Sequence, residues 1–278
     1  MSTLPPGTEP GRVALRVGDL GRQVAFYEDV VGLSTLERRD GGATLGVDGT
    51  PLLELDERAA LPPRSREETG LFHTAFLLPD RAALGDALAR VEANWELSGA
   101  SDHLVSEALY LADPEGNGVE LYCDRPRAEW TVGEDGRIDM DTLPLALDPI
   151  RSAGAGTDEA PPETAVGHVH LEVSDVEAAR AFYVDDLGLA VTATYGAEAI
   201  FLAAGGYHHH VGANTWNGRS APGEGRGLDW FELVVPDGAT LEAAVERLAG
   251  AGREPTRAGG EVSVADPDGI ELRLRVAE

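Results

Sequence analysis

Short runs in which apolar and polar residues alternate recur along the chain, with turn or helix patterns between them. Val13-Ala-Leu-Arg-Val17 and Val169-His-Leu-Glu-Val173 each read as one short strand. After each comes a turn that contains Asp, a helical segment with a Phe-Tyr pair, and a Gly where the helix should stop. Further strand-like runs follow, at 35–38, 43–47 and 52–55 in the first copy and at 190–195, 199–203 and 209–214 in the second. The pattern predicts a β-α-β-β-β module that occurs twice.

A second pair of blocks is related in the same way. Gly70-Leu-Phe-His-Thr-Ala-Phe-Leu-Leu-Pro-Asp80 matches Gly227-Leu-Asp-Trp-Phe-Glu-Leu-Val-Val-Pro-Asp237. Each is followed by an amphipathic helix, predicted over 81–93 and 239–251, and then by a strand, an Asp-Pro-x-Gly turn and a last strand. Because internal similarity indicates repeated structural units, the sequence predicts four modules, at about 11–57, 70–123, 167–215 and 227–277.

These modules predict an α+β fold. A half-sheet with one helix cannot bury its own concave face, so two modules should lie side by side and curl into an open barrel with a cavity. We therefore expect four βαβββ modules in two open barrel-like domains, an N-terminal one at 1–123 and a C-terminal one at 165–278. The stretch at 124–164 is rich in Pro, Gly and acidic residues and is predicted to be a linker that wraps around the body.

The charge of the chain narrows the range of partners. The net charge is −27, and all 22 basic residues are Arg. Such a surface repels nucleic acid and anionic membranes, so neither is expected as a partner. The acids are spread along the chain without Lys, which is typical of proteins from a high-salt cytoplasm, where ions screen the repulsion between surface charges. We therefore expect a halophilic protein whose melting temperature rises with KCl.

The remaining composition predicts a soluble, cytoplasmic protein. Cys123 is the one cysteine in the sequence, so no internal disulfide can form. No apolar run reaches the ~18 residues of a membrane span. The first residues lack the basic-then-apolar pattern of a signal peptide.

Histidines and glutamates at corresponding places in the modules suggest a metal site. We expect the opening strands to begin, in module order, with Arg12, His73, His168 and Trp230. The last strands of modules two and four offer Glu120 and Glu271 as corresponding carboxylates. Two imidazoles and one carboxylate form the facial triad of non-haem Fe(II) oxygenases, in which other coordination positions stay open.

Which ligands meet depends on how the modules pair. If module two packs against module three, His73, Glu120 and His168 form one complete site, and the other two modules offer only Glu271. If the modules pair in sequence, the first pair has His73 and Glu120 alone. The second pair then has His168 and Glu271, with one of the histidines at 208–210 as a possible third ligand. We favour the first arrangement because it completes a site from opening-strand histidines alone.

The stretch that ends at Glu120 resembles a known family signature. It reads His103-Leu-Val-Ser-Glu-Ala-Leu-Tyr110-Leu-Ala-Asp113-Pro114-Glu-Gly116-Asn-Gly-Val-Glu120. Extradiol ring-cleavage dioxygenases share a His, a short spacer, an apolar residue, Tyr, two residues, Asp-Pro-x-Gly and Glu. The match departs only at its start, at Ser101. Nearly the whole chain, including 124–130 and 205–217, is similar to bacterial two-domain catechol 2,3-dioxygenases of the vicinal-oxygen-chelate superfamily.

The resemblance implies an enzyme that cleaves a catechol, or a substituted catechol, with O2 at an Fe(II) centre, with Mn(II) as the alternative metal. The product would be a semialdehyde of the muconic type. It also implies a homo-oligomer. Two other interpretations stay open: a glyoxalase-like or isomerase-like metalloenzyme, and a small-molecule-binding member of the same superfamily that is not an enzyme. The first would tend to have more carboxylate or Gln ligands, and the second would usually lack the metal triad.

The same resemblance implies roles for residues around the metal. Glu120 would be the third metal ligand, after His73 and His168. A histidine of the third module would serve as acid and base, and the sequence does not separate His209 from His210, although alternation along a strand would place them on opposite faces. Tyr110 would hydrogen-bond the reacting substrate. The expected substrate contacts are His103, Tyr110, Asn214 and Trp216.

Overall fold

The computed structural model describes residues 3–277, and its elements reproduce the four modules. The outermost residues of the predicted halves, 1, 2 and 278, lie outside the described residues. The strands are β1 (Glu9–Val17), β2 (Ser34–Arg39), β3 (Gly42–Val47), β4 (Thr50–Glu57), β5 (Gly70–Leu78), β6 (Gly99–Asp102), β7 (Ser106–Ala112), β8 (Gly118–Asp124), β9 (Leu143–Pro144), β10 (Ala165–Glu172), β11 (Ala190–Tyr195), β12 (Ala199–Ala203), β13 (Val211–Asn214), β14 (Gly227–Val235), β15 (Thr256–Ala258), β16 (Glu261–Ala265) and β17 (Glu271–Val276). The helices are α1 (Leu20–Phe26), α2 (Arg81–Asn94), α3 (Leu147–Ala153), α4 (Val176–Arg180) and α5 (Gly238–Gly250).

The strands form two mixed sheets, and each sheet takes one module from each half of the chain. One has eight strands in the order β15-β16-β17-β14-β1-β4-β3-β2, and the other has nine in the order β11-β12-β13-β10-β5-β8-β7-β6-β9. At the centre of each, the opening strands of two modules pair antiparallel, β1 with β14 and β5 with β10. The pairing of module two with module three is therefore confirmed. The boundaries at 123 and 165 separate sequence repeats rather than sheets.

The opening strands begin earlier than the sequence predicted. The residues expected to be first are each the fourth of their strand: Arg12, His73, His168 and Trp230. A glycine lies among the residues that precede each of them, and glycine weakens a strand pattern in the sequence. The strands nevertheless begin before this stretch, because the partner strand pairs with them on both sides of a register shift, which lies between Pro10 and Val13 in β1 and between Val166 and His168 in β10.

An aspartate begins the helix of every module. Its side chain accepts a hydrogen bond from the backbone N–H three residues on, which satisfies one of the donors that a helix leaves free at its start. The pairs, at 2.8–3.0 Å, are Asp19 with Arg22, Asp80 with Ala83, Asp175 with Ala178, and Asp237 with Thr240. The predicted glycine stop is confirmed in the first module, where a π-helical turn, Tyr27–Val31, continues α1 and ends at Gly32, which has a φ of 89°.

The Phe-Tyr pair and the Asp-Pro-x-Gly turn are separate motifs in the sequence, but they are bonded to each other in the structure. Tyr27 Oη donates to Asp113 Oδ2 at 3.4 Å, and Tyr183 Oη donates to Asp266 Oδ2 at 2.9 Å. All four side chains are buried. Because the tyrosine and the aspartate belong to successive modules, each bond links the two sheets within one half of the chain.

The segment between the halves wraps around the body. Its strand β9 extends the nine-stranded sheet by pairing with β6. Ile150 of α3 is fully buried, and α3 approaches α2 at Gly85, where an added Cβ would lie 2.5 Å from the Ile150 carbonyl oxygen. A glycine is therefore needed at this crossing. Within residues 3–277, no helix is both long and apolar enough to cross a membrane.

Candidate metal centre and cavity

The three side chains that the sequence suggests as metal ligands meet in the nine-stranded sheet. His73 lies on β5, Glu120 on the parallel neighbour β8, and His168 on the antiparallel neighbour β10. His73 Nε2 is 3.0 Å from Glu120 Oε2, and His168 Nε2 is 3.2 Å from each of those atoms. All three side chains are buried. In the part of the chain that the structure describes, they form the one group that could hold a metal ion in this way.

The donor set fits a divalent transition-metal ion. Ligand atoms about 2.1 Å from an ion and at right angles to one another lie about 3.0 Å apart. The separations in the triad are 3.0–3.2 Å. A carboxylate only accepts hydrogen bonds, and an imidazole nitrogen without a proton does the same. One cation among the three atoms satisfies all of these lone pairs together.

The electrostatics of the triad favour metal binding. Burial by itself raises the pKa of Glu120, but the facing His168 and His73 together hold that pKa well below its ordinary value. Burial lowers the pKa of His168 to about 4, although the Glu120 carboxylate opposes this effect. At neutral pH the site therefore presents a carboxylate and a neutral His168, the forms in which these groups bind metals.

The eight-stranded sheet has a different residue at each equivalent position. The register aligns Arg12 with His168 and Trp230 with His73, as the sequence suggested. It does not align Glu271 with Glu120. Glu271 lies opposite Trp230 on the neighbouring strand, as Gly118 lies opposite His73. The residue at the position of Glu120 is therefore two residues further on, Arg273. The expected equivalence of Glu271 is wrong because module four has two residues fewer between its Asp-Pro-x-Gly turn and the Glu-Leu pair.

These equivalent residues form a cationic stack that fills the space of a metal site. The Cζ atoms of Arg12 and Arg273 lie 5.4 Å and 4.0 Å from the ring centroid of Trp230. The side chain of Glu232, fully buried beneath them, pairs with Arg12 at 2.8 Å and with Arg275 at 3.0 Å. Such a network neutralises its own charges and leaves no converging lone pairs for a metal ion.

A cavity of about 710 Å³ opens over the triad. The predicted site residues that line it, besides the triad, are His103, Tyr110, His209 and Trp216. His210 and Asn214 are buried but do not line it. His210 Nδ1 accepts from the Ala204 N–H at 3.3 Å, and Asn214 donates to the Leu171 carbonyl at 3.2 Å. Of the two candidates for the acid and base, His209 is the one that contacts the cavity.

The histidine run lies just before β13 and not within the strand, so strict alternation does not explain which face each residue takes. A hydrogen-bonded chain orients His209 instead. His208 Nε2 is 3.0 Å from Asp124 Oδ1, and His208 Nδ1 is 2.7 Å from His209 Nδ1. The carboxylate can only accept, so a neutral His208 donates from Nε2 and accepts at Nδ1. His209 then donates from Nδ1, which leaves its Nε2 lone pair free.

A second chain orients Tyr110. The Asp141 carbonyl oxygen lies 2.7 Å from His103 Nδ1, and His103 Nε2 lies 2.6 Å from Tyr110 Oη. A carbonyl only accepts, so a neutral His103 donates from Nδ1 and accepts the Tyr110 proton at Nε2. The Tyr110 oxygen keeps lone pairs that can accept from a ligand. Burial, reinforced by the charge of Glu120, raises the pKa of Tyr110 well above its ordinary value, so the phenol stays protonated.

The sequence did not predict which residues of the linker line the cavity. Residues 131–142, called the strap here, cross its mouth and contribute Ile138 and Met140 to the lining. The Ile138 N–H donates to the Thr192 carbonyl of β11 at 2.8 Å, while Asp141 holds His103 on the other side. The signal in the sequence was slight: two apolar residues separated by an acidic one.

His170 is a further cavity residue to which the sequence assigned no function. It lines the cavity, and its buried Nε2 has no hydrogen-bond partner among residues 3–277. Gly212 leaves the space that the ring occupies, since an added Cβ would lie 2.8 Å from it. Phe72 and Phe201 complete this apolar wall. A donor or acceptor on a ligand could pair with the free nitrogen.

Comparison with known proteins agrees with the internal repeat and with the resemblance seen in the sequence. The family model described as the Glyoxalase/Bleomycin resistance protein/Dioxygenase superfamily matches residues 10–121 and 165–274. The Catechol-2,3-dioxygenase of Bacillus subtilis (strain 168) is 40% identical over 277 residues, which cover 96% of each chain. The predicted resemblance to this group of enzymes is thereby confirmed.

Solved structures show the shared architecture. A putative dioxygenase from Bacillus subtilis is 14% identical with a TM-score of 0.65, over 99% of this chain and 86% of that one. Glyoxalase I from Zea mays is 18% identical with a TM-score of 0.60, over 96% of this chain and 92% of that one. At these identities the likeness shows the fold alone. On the match of the family model to both halves and the 40% identity of a relative over almost the whole length, this chain belongs to the Glyoxalase/Bleomycin resistance protein/Dioxygenase superfamily and is a homologue of the Bacillus catechol-2,3-dioxygenase.

Proposed function

We propose that this chain is an extradiol dioxygenase that opens the ring of a catechol beside its two hydroxyl groups, with O2 as co-substrate and Fe(II) as the metal. The observation that supports this most is the buried triad of His73, Glu120 and His168 at the floor of a cavity, with His209 beside it. The ring centroids of His168 and His209 are 4.0 Å apart. The printed name of the 40% identical relative points to the same chemistry.

The residues of the chain divide the work around such a metal. His73, His168 and Glu120 would hold Fe(II), or Mn(II) in its place, and the ion would supply open coordination positions at which a diol and O2 meet. His209 would take a proton from a diol hydroxyl at its free Nε2 and return it later in the reaction. Tyr110 would accept a hydrogen bond from the second hydroxyl. Both atoms of O2 enter the product, a semialdehyde of the muconic type.

The cavity indicates which ring substituents the enzyme accepts. Catechol has eight non-hydrogen atoms; at no more than the roughly 30 Å³ of a water molecule each, they take up less than roughly 240 Å³. A cavity of about 710 Å³ leaves room for a substituent. Its lining has one arginine, Arg137, whose Nε lies 3.6 Å from Asp135 Oδ2 and whose Nη1 donates to Thr194 Oγ1 at 3.0 Å, so its charge already has a partner. A carboxylate on the ring would therefore lose water without gaining a cation, so we infer a preference for apolar substituents.

Oxygen uptake with catechol tests the reaction. The protein is loaded anaerobically with Fe(II) in high KCl, and uptake is recorded together with the absorbance of the yellow ring-opened product. We expect matching consumption and product, lost in His73→Ala and in Glu120→Ala. Glu271→Ala is the matched control, because it removes a half-exposed glutamate from the other sheet. Absence of uptake in a folded, iron-loaded protein would favour an isomerase or a binding protein instead.

Two finer properties belong to the same proposal. The resemblance to two-domain catechol dioxygenases supports a homo-oligomer, which the molar mass in solution would test. The net charge of −27 without Lys supports a requirement for high salt. Parallel loading with Mn(II) would establish which metal supports turnover.

A further inference from the structure

We propose that a second crevice in this protein binds a small oxyanion of the phosphate type. It lies where the loop 58–69 meets the loop 215–226 and has a volume of about 490 Å³. Five arginines line it: Arg22, Arg64, Arg66, Arg219 and Arg226. A neighbouring hollow of about 210 Å³ shares two of them and adds Arg16. Six of the 22 arginines of a chain with a net charge of −27 therefore gather in and beside the larger crevice, which is called the arginine crevice here. The smaller hollow also has three acidic side chains in its lining, Asp229, Asp268 and Glu271.

The acidic side chains that line the arginine crevice are already engaged. They are Asp19 and Glu115. Asp19 caps α1 through the Arg22 backbone N–H. Glu115 Oε1 accepts from the Gly18 N–H at 2.6 Å, and its Oε2 lies 3.1 Å from Arg226 Nη1. Five guanidinium groups thus face two carboxylates, whereas the metal cavity has four carboxylates and one arginine in its lining.

Several guanidinium donors in the arginine crevice have no partner. Arg22 and Arg66 are exposed, and neither forms an ion pair within residues 3–277. The Nε of Arg226 is buried and has no hydrogen-bond partner in the described part of the chain. Arg38, Arg90, Arg127 and Arg247 also lack an ion pair within residues 3–277, so a missing partner alone does not mark a site. Arg22 and Arg66 differ from them because they lie beside three further arginines in one crevice. An oxyanion from solution would supply the missing acceptors.

The two inner arginines are crowded around one carboxylate. Arg64 Nη2 is 2.8 Å from Glu172 Oε2, and Arg219 Nε is 2.7 Å from the same oxygen. Burial lowers the pKa of Arg64; Glu172 opposes this, and the neighbouring Arg219 adds to it. Two fixed positive charges that share one negative charge leave a positive potential at the crevice wall, which attracts a small anion.

The arrangement suits an oxyanion with several oxygens better than a single carboxylate. A guanidinium group donates through a planar fork that matches phosphate oxygens in pairs. The arginines come from three segments: Arg22 from α1, Arg64 and Arg66 from loop 58–69, and the other two from loop 215–226. The Arg226 N–H already donates to the Pro62 carbonyl at 2.9 Å, so the loops are in contact. A bound phosphate would tie module one to both loops.

Titration of inorganic phosphate into the full chain tests this proposal. Binding is measured by calorimetry at constant ionic strength, with KCl replaced as phosphate is added, so that general screening stays unchanged. We expect saturable binding of one phosphate per chain. The double variant Arg22→Gln/Arg66→Gln should bind at least about tenfold more weakly, because each lost charge-assisted hydrogen bond contributes on the order of 1.5–3 kcal/mol. Both residues are exposed and unpaired, so the variant should keep its fold.

A second double variant, Arg38→Gln/Arg257→Gln, is the matched control. It removes the same charge from exposed strand positions outside the arginine crevice. Phosphate binding should be unchanged in it. Equal weakening in both double variants would show that net charge alone governs binding and would overturn the proposal, as would the absence of saturable binding to the unmodified chain. Phosphomonoesters such as adenosine monophosphate, tested next, would distinguish free phosphate from a phosphate carried on a larger ligand.

Discussion

The buried Asp266 makes the stability of this protein depend on pH in a direction opposite to that of most carboxylates. Its Oδ1 accepts from the N–H groups of Asp268 and Ile270, both at 2.9 Å, and its Oδ2 accepts from Tyr183 Oη at 2.9 Å. Burial, only partly offset by these hydrogen bonds, raises its pKa from 3.8 to about 6. The folded chain therefore holds this proton more tightly than the unfolded chain does.

The size and sign of the effect follow from linkage. Well below its unfolded pKa of 3.8, the Asp266 carboxyl is protonated in both states and adds no pH dependence. Between about pH 4 and pH 6 the unfolded chain releases the proton while the folded chain keeps it, so stability falls as the pH rises. The gap between pKa values of 3.8 and about 6 amounts to about 3 kcal/mol, lost in full above pH 6.

Asp266→Asn isolates this contribution. The amide keeps the Oδ1 acceptor for both N–H groups, and its nitrogen can donate to the Tyr183 oxygen. The free energy of unfolding of the variant is measured with urea in high KCl and compared with that of the unmodified chain. From pH 4.5 to pH 7 the variant should gain about 2 kcal/mol relative to the unmodified chain, because part of the effect is already lost at pH 4.5. Asp185→Asn, at a half-exposed carboxylate, is the control and should show no such change. A difference between Asp266→Asn and the unmodified chain that is the same at both pH values would refute the reasoning.

Four further outcomes are expected. Asp124→Asn removes the carboxylate that orients His209 through His208, so kcat should fall about 10–100-fold while the iron content and KM stay similar. An unchanged kcat would mean that this chain of hydrogen bonds does not act on His209. Met140→Arg places a positive charge in the cavity, so it should raise kcat/KM for the carboxylate substrate 3,4-dihydroxybenzoate about tenfold relative to that for 4-methylcatechol. Val132→Arg adds the same charge outside the cavity and should leave this ratio unchanged. Equal effects of the two variants would point to long-range electrostatics. Glu232→Gln should lower the free energy of unfolding, measured with urea, by about 3–5 kcal/mol, because Arg12 and Arg275 lose a fully buried charged partner. A loss within error of zero would contradict this expectation. The melting temperature should rise steadily with KCl, and a flat profile would exclude a halophilic surface.

The repeat allowed much of the fold to be predicted, together with the meeting of three side chains that could hold a metal ion. A period in the sequence marks the modules, and the ligand types His73, Glu120 and His168 occur at corresponding places in them. The pairing of modules two and three was then favoured on chemical grounds, because it completes a triad from opening-strand histidines alone. Strand order confirmed it. The requirement that three side chains meet at one ion limits how the modules can pair, as the hydrophobic pattern of the strands also does.

The contacts made by the linker could not be predicted from the sequence. The strap contributes Ile138 and Met140 to the cavity through backbone hydrogen bonds, such as that between Ile138 and Thr192, which leave no trace in residue type. Asp124 looked like the first residue of a linker, yet it sets the tautomer of His208. Both depend on distances between segments far apart in the sequence, and no local pattern encodes those distances.

The two sheets have the same strand arrangement, apart from β9, but different side chains at and around the positions of the triad. At the position of Glu232 in the eight-stranded sheet, the nine-stranded sheet has the fully buried Ala75. The small side chain adds no second carboxylate beside Glu120, and no arginine within residues 3–277 forms an ion pair with Glu120. In the other sheet Glu232 balances Arg12 and Arg275, so the charges satisfy one another within the protein. A metal site needs a different arrangement: His73, His168 and Glu120 direct their donor atoms to one point, where a single cation can accept all three. The eight-stranded sheet thus satisfies its buried charges within the protein, whereas the nine-stranded sheet keeps a buried donor set that suits a divalent metal ion.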